Sequence, residues 1–329
     1  MTKESLAFAA KRVTFLKFLG FSPVSIVKET KSVTKPIDIL ILLFHLSLGV
    51  FACCIAITKR EELTNASASK IAKLGNFVTF LVSVVNSLIA MIVSFIHRHR
   101  NWKILLNYNA IDEQVNKLNW LIVHSSSLNY LQFQSTSIGH PVDYMPLIRR
   151  NAAIALVIFG LNIPLTIFVY VMIGNPLKVL LFCYSSIFFT FGIGSVSSLT
   201  IALYLRLNSM ANFVRLEIQS GNSKNRRSTR LIIKTLAEMY QKLSDSSDDI
   251  CLCYGVQMML GFGLMFFYTL FTCFSAYTDM VNNGKLADET ISSTAACLYY
   301  NLFLATVILS CCRVTNEVEW LKIIAALFT

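Results

Sequence analysis

Charge is scarce in this chain. Only 14% of its 329 residues are Asp, Glu, Lys or Arg, whereas 55% are hydrophobic. A soluble domain of this size carries roughly a quarter charged residues, so the shortfall excludes an ordinary water-soluble fold and points to lipid. Length alone would allow about two domains, but the apolar runs spread along most of the chain and imply one membrane body. A cleavable leader is also missing. Residues 1–35 carry seven Lys or Arg and no apolar core followed by a small-residue cleavage site, so the first span is expected to act as its own insertion signal. The alternating pattern of a membrane barrel is absent too.

Sites for chemistry are equally sparse. No nucleophile elbow, phosphate loop, zinc-protease helix or dinucleotide fingerprint occurs, so no catalytic residue, cofactor or metal is expected. Gly192-Ile193-Gly194-Ser195 lies inside an apolar run, opens no βα unit, and reads as a close helix-packing patch. Of the nine cysteines, seven fall in apolar runs, and Cys251 and Cys253 lie at the foot of one. None falls in a segment assigned outside the cell, so no extracellular disulfide is expected. Cys251-x-Cys253 and Cys311-Cys312 lack the spacing and histidine partners of a zinc site.

What the chain does have is long apolar runs. A spanning helix needs about 20 mostly apolar residues, and six windows qualify: 36–57, 74–96, 152–173, 179–203, 254–277 and 291–312. The expected fold is all-α: a multi-pass integral membrane protein with six transmembrane helices, because a helix satisfies its own backbone in hydrocarbon. It divides into an N-terminal segment 1–35, a transmembrane domain 36–312 and a C-terminal helical extension 313–329.

Lysine and arginine orient the spans. With both termini in the cytoplasm, 23 of the 29 Lys and Arg lie in inner segments and 6 in outer ones, a clear positive-inside asymmetry. The net charge of +11 is thus topological, and nucleic acid needs no place among the partners. The sequon Asn65-Ala66-Ser67 falls in the first outer loop, in agreement.

The inner segments 97–151 and 204–253 are far longer than the outer loops. Structureless loops of about 50 residues are uncommon, and apolar stripes run through these segments. Ile104, Tyr108, Ile111, Val115 and Leu118 follow span two. Ile232, Leu236, Met239 and Leu243 precede span five, and Val314, Val318, Leu321, Ala325 and Phe328 follow span six. Helical spacing on an otherwise polar background gives each helix one apolar face. A packed cytoplasmic bundle is expected, within or between subunits; the alternative is separate helices lying on the bilayer. The acidic run from Asp245 to Asp249 reads as a solvated face, and His97-Arg98-His99-Arg100 as a headgroup anchor at the inner end of span two.

Ionisable groups within spans mark function, and only His45 sits near mid-membrane, read as a neutral histidine bonded to a neighbouring helix. A transporter usually needs several such groups. Uncharged polar and aromatic residues are plentiful instead: Tyr170, Tyr184, Thr190, Tyr268, Thr272, Tyr299 and Asn301 fall in the outer halves of spans three to six. They suit either a small-molecule pocket between helices or an interfacial aromatic belt.

Four stretches carry a family likeness: Phe18-Leu19-Gly20-Phe21-Ser22-Pro23; Trp102 to Leu118 with Ile111-Asp112; Leu236 to Leu260 with Leu243, Asp249, Tyr254-Gly255 and Gln257; and Cys311-Cys312-Arg313-Val314-Thr315-Asn316-Glu317. With the loop lengths and orientation, they make the chain resemble insect gustatory receptors of the insect chemoreceptor superfamily. The resemblance implies a receptor for small-molecule tastants that works as a ligand-gated nonselective cation channel, a homo- or hetero-tetramer with related subunits in the plasma membrane. The ligand would enter an outer pocket among spans two to six, where the seven residues above are the candidates. Polar and aromatic pockets suit sugars and apolar ones suit bitter compounds, and these residues fit either. A six-span transporter or membrane enzyme is the alternative; a G-protein-coupled receptor is disfavoured by the lack of an outer cysteine pair and of Asp-Arg-Tyr after span three.

One departure matters. Such receptors have a seventh, pore-lining helix carrying Thr-Tyr and Gln-Phe, whereas the apolar stretch Leu321 to Phe328 is too short to cross. The expectation is a truncated gene model or a natural short form. Expressed alone, residues 1–329 are expected to bind ligand weakly and pass no current; a tastant-evoked current from cells expressing this chain alone would overturn that.

Overall fold

The computed structural model describes residues 25–27, 31–33, 35–58, 70–125, 160, 164–165, 167–168, 176–220 and 226–328. Six helices build it: α1 (Pro36–Thr58), α2 (Lys70–Ile96), α3 (Arg98–Ser125), α4 (Pro176–Ser220), α5 (Arg226–Asn283) and α6 (Asp288–Phe328). A small antiparallel hairpin precedes them, β1 (Ser25–Val27) paired with β2 (Lys31–Val33), with Ser25 opposite Val33. No strand was expected there from the residues; three paired residues on each side leave the architecture all-helical.

Three helical stretches are long and apolar enough to cross a membrane: Pro36–Thr58, Ile233–Asn282 and Thr290–Glu319. A bent pair, Leu81–Ile96 with Arg98–Val115, makes a fourth if it counts as one span. The multi-pass helical expectation therefore holds among the described residues. The expected third span, 152–173, lies outside them except for helical residues at 160, 164–165 and 167–168.

The helix boundaries have local causes. Asp38, the third residue of α1, accepts the Lys35 amide at 2.8 Å while the Asp38 amide bonds the Lys35 carbonyl at 2.9 Å, a reciprocal cap of the first turn. α5 ends at Gly284, whose φ of 65° is the left-handed conformation that glycine adopts without a Cβ penalty and whose amide bonds Met280 O at 3.1 Å.

α4, α5 and α6 have 45, 58 and 41 residues. At about 1.5 Å rise per residue they run roughly 60 to 90 Å, about two to three times the ~30 Å of a hydrocarbon core. The spans therefore run on as continuous helices beyond any bilayer that contains their apolar parts. Span two does not. At His97 the chain bends by 65° between α2 and α3, and the His97 carbonyl takes both the Arg100 amide at 2.9 Å and the Asn101 amide at 3.4 Å. That tightened turn starts a new helix and lays α3 across α5 and α4.

The packed core sits where the long helices meet. Ile104, Tyr108, Ile111 and Val115 of α3 close on Met239 and Leu243 of α5 and on Leu203, Leu207 and Met210 of α4, with Leu236, Val314 and Val318 at the edge. The expected stripes thus form one bundle within a single chain, against the reading of separate helices on a bilayer surface. Leu118, Ile232, Leu321, Ala325 and Phe328 belong to the same stripes, but their side chains lie outside the described residues. α1 is peripheral, packs on α2, and exposes Leu40, Leu43, Phe44 and Phe51, the surface expected of a lipid-facing helix.

α2 and α5 approach closely at Gly75, where an added Cβ would run into the Phe271 ring. Such overpacking typically costs about 1–3 kcal/mol. Gly75→Ala is expected to lower the melting temperature of detergent-solubilised protein; an unchanged melt would show that the ring swings away freely.

Candidate functional site

Two polar regions stand out, one in the apolar stretches of α5 and α6 and one in the bundle beyond the spans. In the first, Tyr268 of α5 faces Tyr300 of α6 with ring centroids 6.5 Å apart. Tyr299 stands edge-on to Tyr300 at 5.4 Å and to Phe303 at 4.8 Å. Edge-to-face pairs in this range stabilise beyond area burial alone. Thr272 lies one turn beyond Tyr268 on α5, and Thr190 lies on α4. Both are buried, and their hydroxyls have no hydrogen-bond partner among the described residues.

Of the seven sequence candidates, the structure therefore links Tyr268 and Tyr299 through Tyr300. Asn301 is exposed instead. Its amide donates to Cys297 O at 2.9 Å and to Thr269 Oγ1 at 3.2 Å, which ties α6 to α5. Tyr170 lies outside the described residues; Tyr184 is on α4, but its side chain lies outside them. Nearer the middle of the bundle, Gln257 packs so tightly on Gly192 that a Cβ there would run into its amide nitrogen. The Gly192 patch is thus a close helix contact, as read from the sequence, although Gly194 meets nothing within 4 Å.

At the turn between α5 and α6, buried Asp279 accepts the Ala287 amide at 3.0 Å and the Thr290 hydroxyl at 2.6 Å. It fastens the end of α5 to the start of α6. Sequence reading missed this carboxylate, because its partners lie eight and eleven residues away with no periodic sign between them.

The bundle beyond the spans is held by charge. Arg206 of α4 donates to Asp112 of α3 at 2.8 Å, with side chains only 7% and 2% exposed. The same guanidinium donates to the Ala202 carbonyl at 2.8 Å and lies 4.3 Å from the Tyr108 ring centre. Tyr108 in turn donates to Leu199 O at 3.1 Å. Burial pushes the Tyr108 phenol above its ordinary range, opposed by Arg206, so it keeps the proton that this bond needs.

On the other flank of α3, Asp249 of α5 takes Arg100 and Lys103, each at 3.0 Å. Asn107 donates to Ser246 at 3.2 Å, and Lys242 to Gln114 at 3.3 Å. This corrects two sequence readings. The run from Asp245 to Asp249 is not wholly a solvated face: Ser246 and Asp249 are buried because α3 crosses there. Arg100 is not simply a headgroup anchor, since it neutralises Asp249. Arg100 and Lys103 stay 47% and 58% exposed, so screening leaves these pairs weak beside Arg206–Asp112.

His45 sits in α1 with its ring 5.6 Å from that of Phe44, edge-on. Among the described residues no group of three or more His, Cys, Asp or Glu is placed to hold a metal ion, and eight cysteines are free thiols.

Comparison with known proteins agrees with this architecture. Curated proteins give no match. A family model described as 7tm Chemosensory receptor matches residues 13–328, nearly the whole chain. That family is not an enzyme family, and its members bind small molecules in a membrane. With its multi-pass helical body, the chain belongs to the 7tm chemosensory receptor family.

Proposed function

We propose that this receptor is gustatory: it takes small-molecule tastants between the outer halves of its helices and serves as a subunit of a ligand-gated nonselective cation channel, not as an enzyme. The observation that carries the reading is the aromatic group Tyr268, Tyr299, Tyr300 and Phe303, with buried Thr272 one turn along α5 from Tyr268 and buried Thr190 on α4, whose hydroxyls lack hydrogen-bond partners among the described residues. Apolar faces with a few convergent polar groups are what a small-molecule site requires, and an unpaired buried hydroxyl is stabilised by a ligand that bonds it. Tyr170, Tyr184 and Asn301 complete the proposed set. Both termini are placed in the cytoplasm on the strength of the Lys and Arg distribution, and the plasma membrane rests on the resemblance. In this placement the transmembrane body is 36–312, and the bundle around Arg206 and Asp112 faces the cytoplasm. The four-fold assembly with related subunits rests on the resemblance alone.

The test is binding. Purified full chain in detergent is heated with a panel of sugars and of bitter compounds, and stabilisation is read from the melt. A ligand at 100 times its Kd stabilises by about 2.7 kcal/mol, which shifts the melt measurably. Tyr299→Ala and Thr272→Val are expected to abolish the shift for the same compound. A panel with no stabilising compound, or a shift that survives both substitutions, would refute the site.

A further inference from the structure

The exposed face of α5 changes character at one residue. Ser244, Asp245 and Asp248 are exposed below it, and Leu252, Val256 and Met259 above it; between them stands exposed Cys251. α6 does the same in reverse. Leu302, Ile308 and Leu309 are exposed, then Cys311 and Cys312, then Arg313, Thr315 and Asn316. The apolar-to-polar change marks where lipid ends on each helix. The two changes fall on helices that pack against each other. Three exposed free thiols from two packed helices therefore stand at the apolar-to-polar boundary.

We propose that Cys251, Cys311 and Cys312 form a site of S-acylation by long-chain fatty acids. The proposal rests on the orientation given above, which puts this boundary on the cytoplasmic side, where acyl thioesters are supplied. Juxtamembrane cysteines with this exposure are the substrates of reversible acylation. The sulfur of one cysteine attacks the carbonyl carbon of a long-chain acyl thioester. A new sulfur–carbon bond forms at the cysteine, the carbon–sulfur bond of the donor breaks, and the thiol proton passes to the departing thiolate. Nothing is oxidised or reduced. The attached chain enters the bilayer beside Leu252 and Leu309, where burial of its methylenes in hydrocarbon is favourable, and so fixes the depth at which α5 and α6 leave the membrane.

The experiment uses the full chain in eukaryotic cells fed an alkynyl long-chain fatty acid. Wild type is expected to take up label that neutral hydroxylamine removes. Cys251→Ser/Cys311→Ser/Cys312→Ser is expected to lose it, and Cys53→Ser/Cys54→Ser/Cys273→Ser to keep it. Peptide mapping of wild-type protein after exchange of acyl groups for a mass tag places the modification even if the triple variant is poorly made. Absence of label from wild type, or tags mapped only elsewhere, overturns the proposal. A membrane-impermeant maleimide on intact cells separates the two failures. Reaction at Cys311 from outside would refute the orientation and the proposal with it, whereas protection without acylation would refute the proposal alone.

Discussion

Asp112→Ala is expected to be the most damaging single change in this protein. It leaves the Arg206 guanidinium buried with its carboxylate removed, and losing one partner of a buried pair costs about 3–5 kcal/mol. Among its contacts, the Ala202 and Tyr108 carbonyls and the Tyr108 ring would remain, and none of these carries a full charge. The measurement is the yield and monodispersity of detergent-solubilised protein, with its melt. The decisive comparison is Asp112→Leu combined with Arg206→Met. An apolar pair of similar volume is often neutral or better than a buried ion pair, so the double variant is expected to recover most of the loss. If Asp112→Ala melts like wild type, the pair contributes nothing and the bundle is held by its apolar seam.

The second large effect is expected at that seam. Met239 is completely buried and Leu243 nearly so, in the core shared with Ile104 and Ile111 of α3. Met239→Ala removes apolar volume that flanking helices cannot refill, at a typical cost of about 2–5 kcal/mol. Leu252→Ala, on the exposed face of the same helix, is the control and should change the melt little. Equal effects from the two would mean that the seam packs loosely in solution. Because α3 belongs to this bundle and continues from α2 through the bend at His97, loosening the seam also frees α2. A ligand acts on such a device only by binding one arrangement more tightly than another. Met239→Ala is therefore expected to change the concentration dependence of any tastant response as well as the melt.

The weaker flank gives a scale for these effects. Asp249 faces two cations that are about half exposed, and pairs of that kind contribute at most about 1 kcal/mol each. Sequence resemblance singled out Asp112 and Asp249 alike, yet their surroundings make them unequal. One is sealed with its arginine between α3 and α4; the other has partners that water reaches.

Much of this protein is written in short-range patterns. Apolar runs of membrane length, the bias of Lys and Arg, and the 4-3 spacing through Ile104, Tyr108, Ile111 and Val115 are each properties of a few consecutive turns. Helix formation and burial of one helix face respond to that local pattern, so the helical class, the long extensions and the faces they bury are legible in the sequence by itself. Tertiary structure alone decided the rest. Arg206 meets Asp112 across 94 positions, and Arg100 meets Asp249 across 149; no local pattern chooses one carboxylate over its neighbours at that distance. The bend at His97 carries no proline or glycine to announce it and exists because α3 gains a core by lying across α5 and α4. The same crossing buries Asp249 in a run that reads as solvent-facing. It is the packing of α5 on α6 that gathers Tyr268, Tyr299 and Tyr300 while turning Asn301 outward, since which side of a helix faces a partner depends on where that partner lies.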